Sequence, residues 1–160
     1  MTHATENTTV DCAFTEATSH LNDFLDSLGA RQPDGAVIPL SVPVADASVV
    51  RDIVAKLTDT KTVGRLAIAG ITWSAKGGGP YPVFTGTLTL GEASALTSTL
   101  TVAGDYAPPG GVVGAAFDAV LGRRMATASL KALLATLKAA IETAHKTTAV
   151  TAAQYLPTYE

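Results

Sequence analysis

Three histidines, one cysteine and fourteen carboxylic acids are the side chains of this 160-residue chain best suited to move protons or hold a metal. His3 lies in a polar amino-terminal stretch, His20 at the edge of an apolar helical stripe, and His145 near the end of a long helical run. Nothing in their spacing makes a ligand cluster, so neither a metal nor a cofactor is expected. The lone Cys12 excludes an internal disulfide and a multi-cysteine zinc site, and it reads as a small apolar residue. Asp23 and Asp26 form the one acidic pair at close helical spacing, which suits a solvated face better than an acid/base dyad. Gly77-Gly78-Gly79 lacks the G-x-x-x-x-G-K-[ST] order of a phosphate cradle and reads as a hairpin loop. There is no G-x-S-x-G elbow. No catalytic residue is nominated.

One charge pattern repeats. Arg124, Lys131, Lys138 and His145 recur every seven residues and so share a helix face. Such a stripe suits either an anionic lipid or acidic partner, or the solvated back of an amphipathic helix. Glu142, one turn after Lys138, favours the second reading through an i,i+4 pair.

Composition narrows the class. With 47% hydrophobic residues the chain can bury one sizeable core. A net charge of −3 argues against nucleic-acid binding, which calls for a basic face. No apolar run approaches the roughly 18 residues of a membrane span, and Met1–Thr9 has no apolar h-region. A soluble cytoplasmic protein with no transmembrane segment is expected.

The elements that must position any site follow in order. Residues 1–7 read as a tail, and Val10, Cys12 and Phe14 alternate as a strand over Thr8–Phe14. Thr15 can cap a helix over Glu16–Leu28, with Gly29 as its stop. Ala36–Val44 alternates as a strand, and Pro39 and Pro43 place it at an edge or interrupt it. Val49–Thr58 fits both periods, and its β-branched residues favour strand. Asp59–Gly64 is turn-like, and Leu66–Ser74, Phe84–Leu90 and Leu96–Ala103 are further strands.

From Tyr106 the chain passes through Pro108-Pro109-Gly110-Gly111 into a long helix reaching His145. Leu130, Leu133, Leu134, Leu137 and Ile141 make its core stripe. The earlier bulky residues Phe117, Val120, Leu121 and Met125 fall elsewhere and need a separate cover, unless a kink near Gly122 turns both faces to one core. Residues 146–160 read as a second tail, leaving a single domain over 8–145.

Gly104-Asp105-Tyr106-Ala107-Pro108-Pro109-Gly110-Gly111-Val112-Val113-Gly114, followed by Phe117-Asp118, Arg123-Arg124 and the leucine run, carries a resemblance. With the strand, helix, strands, long-helix order it resembles the START-like (SRPBCC) superfamily of polyketide cyclases, aromatases and lipid-transfer proteins. The chain departs from that pattern in having one helix after the first strand where two short ones are usual. The resemblance implies an α+β helix-grip fold, an antiparallel sheet wrapped around a long C-terminal helix. It also implies a pocket between sheet and helix for a small apolar molecule or lipid. Trp73, Phe84, Leu88, Phe117 and Leu121 are the residues nominated to line it. A cyclase- or aromatase-type enzyme is the alternative, and a non-catalytic protein forming a homodimer through the early helix face is the third.

Overall fold

The computed structural model describes residues 2–44, 47–77, 83–107 and 111–154, with side chains described for 3–40, 50–77, 83–107, 123–152 and 154. The elements are β1 (Thr2–Val10), α1 (Phe14–Leu28), β2 (Ala36–Val44), β3 (Ala47–Leu57), β4 (Lys61–Val63), β5 (Leu66–Ala75), β6 (Val83–Glu92), β7 (Ser98–Ala107) and α2 (Gly111–Gln154). One seven-stranded sheet runs β1-β7-β6-β5-β3-β2, with β4 paired to β5 beside this path, and every pairing is antiparallel. This is an α+β fold of the helix-grip type. β2 is an edge strand, where its prolines cost no central ladder bond. The ambiguous run over 49–58 is strand as far as Leu57.

Several boundaries differ from the sequence expectation, each for a physical reason. β1 reaches back to Thr2, because residues 2–10 pair continuously with β7 from Thr2↔Tyr106 to Val10↔Ser98. The composition of this segment is polar, yet a neighbouring strand satisfies its backbone, and tertiary pairing overrides propensity. The strand ends at Val10; Cys12 and Phe14 are buried beyond it, one in a bend and the other opening α1. Thr15 is therefore inside α1, whose N-cap is Ala13 with no side-chain cap, while Gly29 closes it at φ 74° as expected. The supposed turn over 59–64 contains β4.

β7 starts at Ser98, and Leu96 is exposed in a loop whose Ser94 hydroxyl accepts the amides of Leu96 and Thr97. α2 continues past His145 to Gln154, its last turns carrying Thr147, Thr148 and Thr151 hydroxyls bonded back to the carbonyls four residues earlier. The segments at 2–7 and 146–154, expected as tails, thus belong largely to regular elements.

The leucine stripe is the core of the grip. Leu130, Leu133, Leu134, Leu137 and Ile141 are all at most 2% exposed. α2 lies alongside β1: Arg123 lines a cleft with His3–Thr5, the Lys138 ammonium donates to the Thr9 carbonyl, and Glu142 accepts the Asp11 amide. The spacing agrees, since Arg123 to Lys138 spans about 22 Å of helix and His3 to Thr9 about 20 Å of strand. Among the described residues, α2 packs against β1, β2, β7 and α1.

Candidate functional site

The middle of the sheet carries one continuous cross-strand row. Ala36 pairs with Ala55, Ala55 with Trp73, Trp73 with Phe84, and Phe84 with Tyr106. All five are at most 3% exposed, so they share the inner face. Small residues stand toward the β2 edge and three aromatics occupy the central strands. Trp73 and Phe84 stack with ring centroids 4.1 Å apart and planes 14° from parallel. Aromatic pairs of this kind contribute about 0.5–1.5 kcal/mol beyond their area.

The adjacent row explains how the rings fit. Gly86 pairs with Gly104, and a Cβ added to Gly104 would lie 2.3 Å from the Thr85 carbonyl oxygen and 2.8 Å from the Phe84 ring. A Cβ on Gly86 would come within 2.1 Å of the Ala103 carbonyl oxygen. The two glycines let the backbones approach and leave Phe84 room to lie over Gly104. One row further, Leu88 is buried between Ala69 and Val102.

Of the five nominated lining residues, Trp73, Phe84 and Leu88 therefore sit together on the inner face. Phe117 and Leu121 are on the first part of α2, and their side chains lie outside the described residues, as do those of Val120 and Gly122. Tyr106 completes the row but was taken from the sequence only as the start of the helix-bearing stretch. Its separations of 22 residues from Phe84 and 33 from Trp73 carry no signal until the register is known.

Tyr106 also marks an opening. A cleft of about 340 Å³ between β1, the end of β7 and α2 is lined by His3, Ala4, Thr5, Tyr106, Arg123 and Thr127. The His3 imidazole lies 3.3 Å from the Asp105 carboxylate at the same end of the sheet, so this cleft is polar while the aromatic row is apolar. The described clefts do not place Trp73, Phe84 and Leu88 together on one wall.

The expected solvated stripe on α2 is partly engaged. Lys138 bonds Glu142 at 3.1 Å, and His145 bonds Glu16 at 2.7 Å. The expectation that no histidines cluster is corrected here. His20 and His145 come together with Cys12 and Glu16, their potential ligand atoms all within 4.8 Å of one another. The pairing arises because α1 packs against the second half of α2, which the sequence separation hides. Burial, with the Glu16 and Glu142 carboxylates nearby, pushes the Cys12 thiol up to about 11.

Comparison with known proteins supports the fold and stops there. No family model and no curated protein matches the chain. Among solved structures, a conserved protein from Geobacillus kaustophilus superposes with a TM-score of 0.54 at 16% identity, covering 89% of this chain and 93% of that one. A Thermus thermophilus protein gives 0.54 at 10% identity, covering 89% and 99%. The Zhui aromatase/cyclase from Streptomyces gives 0.40 at 17% identity, covering 86% and 93%. The likeness to the first two is one of architecture alone.

Proposed function

We propose that the protein binds or carries a small, largely hydrophobic molecule between the inner face of the sheet and the first half of α2. The observation that carries this reading is the buried Trp73–Phe84–Tyr106 row, an apolar aromatic surface on the inner face of the central strands. Trp73, Phe84 and Leu88 supply the sheet wall, and Phe117 and Leu121 the helix wall. Apolar walls with few polar groups are what such sites require. The resemblance of the sequence to the START-like superfamily supports the same reading.

Carriage is favoured over cyclase- or aromatase-type catalysis by the chemistry of the wall. Tyr106 is the one titratable residue in the described row, and its neighbours on the face are alanine, glycine, leucine, valine and the two stacked rings. Proton transfer in a reacting ligand needs positioned acid and base groups, which this wall does not offer.

The test is a native mass spectrum of protein purified under gentle conditions, followed by extraction with organic solvent. The expected result is a monomer-range mass with a copurified apolar adduct that extraction removes. A ligand-free dimer, dissociated by Leu121→Asp, would favour the interaction reading instead.

A further inference from the structure

Cys12, Glu16, His20 and His145 converge from three parts of the chain at the opposite end of the helix interface from the aromatic row. Cys12 lies in the bend after β1, Glu16 and His20 are one turn apart on α1, and His145 comes from α2. Their potential ligand atoms lie within 4.8 Å of one another. From tetrahedral bond lengths near 2.0–2.3 Å, zinc ligands stand about 3.3–3.8 Å apart. No pair here has more than about 1–1.5 Å to close.

A second observation points to an occupant. The Nε2 atom of His20 is buried and has no hydrogen-bond partner, the one such side-chain atom among the described residues. A buried imidazole nitrogen left unsatisfied calls for a water or an ion. The surroundings choose between them: beside the thiol stand the carboxylates of Glu16 and Glu142. This anionic setting disfavours a thiolate nucleophile, which needs positive neighbours. It suits a divalent cation.

We propose that Cys12, Glu16, His20 and His145 form a four-ligand site for a zinc ion. One thiolate, one carboxylate and two imidazoles give a mixed sulfur, nitrogen and oxygen set that zinc accepts readily. With four protein ligands the site is closed to substrate and therefore structural. It fastens α2 to α1 and to the end of β1, beside the Lys138–Glu142 contacts that already hold this corner. On binding, the cation displaces the Cys12 proton to solvent and takes over from the His145–Glu16 hydrogen bond, both steps general to metal uptake.

The test titrates cobalt(II), as a spectroscopic substitute for zinc, into reduced, chelator-treated full-length protein. The expected result is one equivalent per chain, with intense tetrahedral visible bands and a sulfur-to-metal charge-transfer band, all removed by added zinc. His145→Gln, at a half-exposed position, should weaken binding by at least about tenfold. Cys12→Ser should abolish the charge-transfer band, and His20→Gln provides the same check on affinity if that variant does not fold. Zinc at a hundredfold excess over its Kd should raise the melting temperature by about 5–10 °C. Absence of stoichiometric binding, or binding undiminished in both His145→Gln and His20→Gln, would overturn the proposal.

Discussion

Trp73 and Phe84 face each other directly across β5 and β6, with their rings stacked 4.1 Å apart. The pair is at the centre of the row that spans the inner face of the sheet. Phe84 is 1% exposed, so Phe84→Ala should cost about 3–5 kcal/mol by denaturant unfolding. Trp73 emission should shift to longer wavelength as its ring loses that cover. A cost below about 0.5 kcal/mol would show that the ring is not part of the core.

Gly104 is held to glycine by its neighbours. Its added Cβ would strike the Thr85 carbonyl, the Gly86 Cα at 2.5 Å and the Phe84 ring. Two of these are backbone atoms and cannot rotate away. Gly104→Ala should therefore lose about 1–3 kcal/mol, whereas alanine normally stabilises a strand relative to glycine. A melting temperature unchanged or raised in the variant would refute the close crossing.

Arg31 ties the end of α1 to the connection after β3. Its guanidinium donates to Asp26 at 2.6 Å, Asn22 at 2.7 Å and Thr60 at 2.6 Å, with its side chain only 16% exposed. Hydrogen bonds from a charged, largely covered group contribute about 1.5–3 kcal/mol. Arg31→Ala should lower stability by about that amount, and Arg31→Lys should recover little because an ammonium lacks the planar fork. Equal stability of wild type and Arg31→Ala would contradict this clasp.

Glu142 makes stability depend on acid. Burial works to raise its pKa, but the Asp11 amide, then Lys138 and Lys146, more than offset it and hold the carboxyl below its ordinary 4.5. A carboxyl with a depressed folded value stabilises the fold above its unfolded pKa, and that contribution disappears as pH falls through the folded value. With chelator present, wild-type melting temperature should drop more steeply below about pH 4.5 than that of Glu142→Gln. Parallel acid limbs would show that the carboxylate contributes nothing.

The parts of this architecture that were legible in the sequence are those fixed by local periodicity. Leu130, Leu133, Leu134, Leu137 and Ile141 reveal their face because a helix repeats every 3.6 residues. The alternation of Ile38 and Leu40, or of Phe84, Leu88 and Leu90, does the same for strands. Three of the five nominated wall residues, Trp73, Phe84 and Leu88, share the buried inner face. What periodicity cannot supply is register. Tyr106 joins the aromatic row only through two strand pairings, β5 with β6 and β6 with β7. His145 meets His20 only because two helices distant in sequence pack together. Glu16 and His20 did carry a local signal, the spacing of four that sets them one turn apart on α1, whereas Cys12 joins them from the bend before the helix.

The proposed ligand site is tested most directly through Trp73, the single tryptophan of the chain. Protein freed of copurified ligand is titrated with a fluorescent apolar probe that accepts energy from tryptophan. Wild type and Leu121→Asp are compared for probe binding, mass in solution and melting temperature. The expected result is saturable one-to-one binding that quenches Trp73 emission. In Leu121→Asp it should weaken by at least about tenfold, a small part of what burying an unpaired carboxylate costs, with mass and melting little changed. Failure of the wild type to bind saturably, or full binding and quenching in Leu121→Asp, would contradict a pocket between the sheet and the first half of α2.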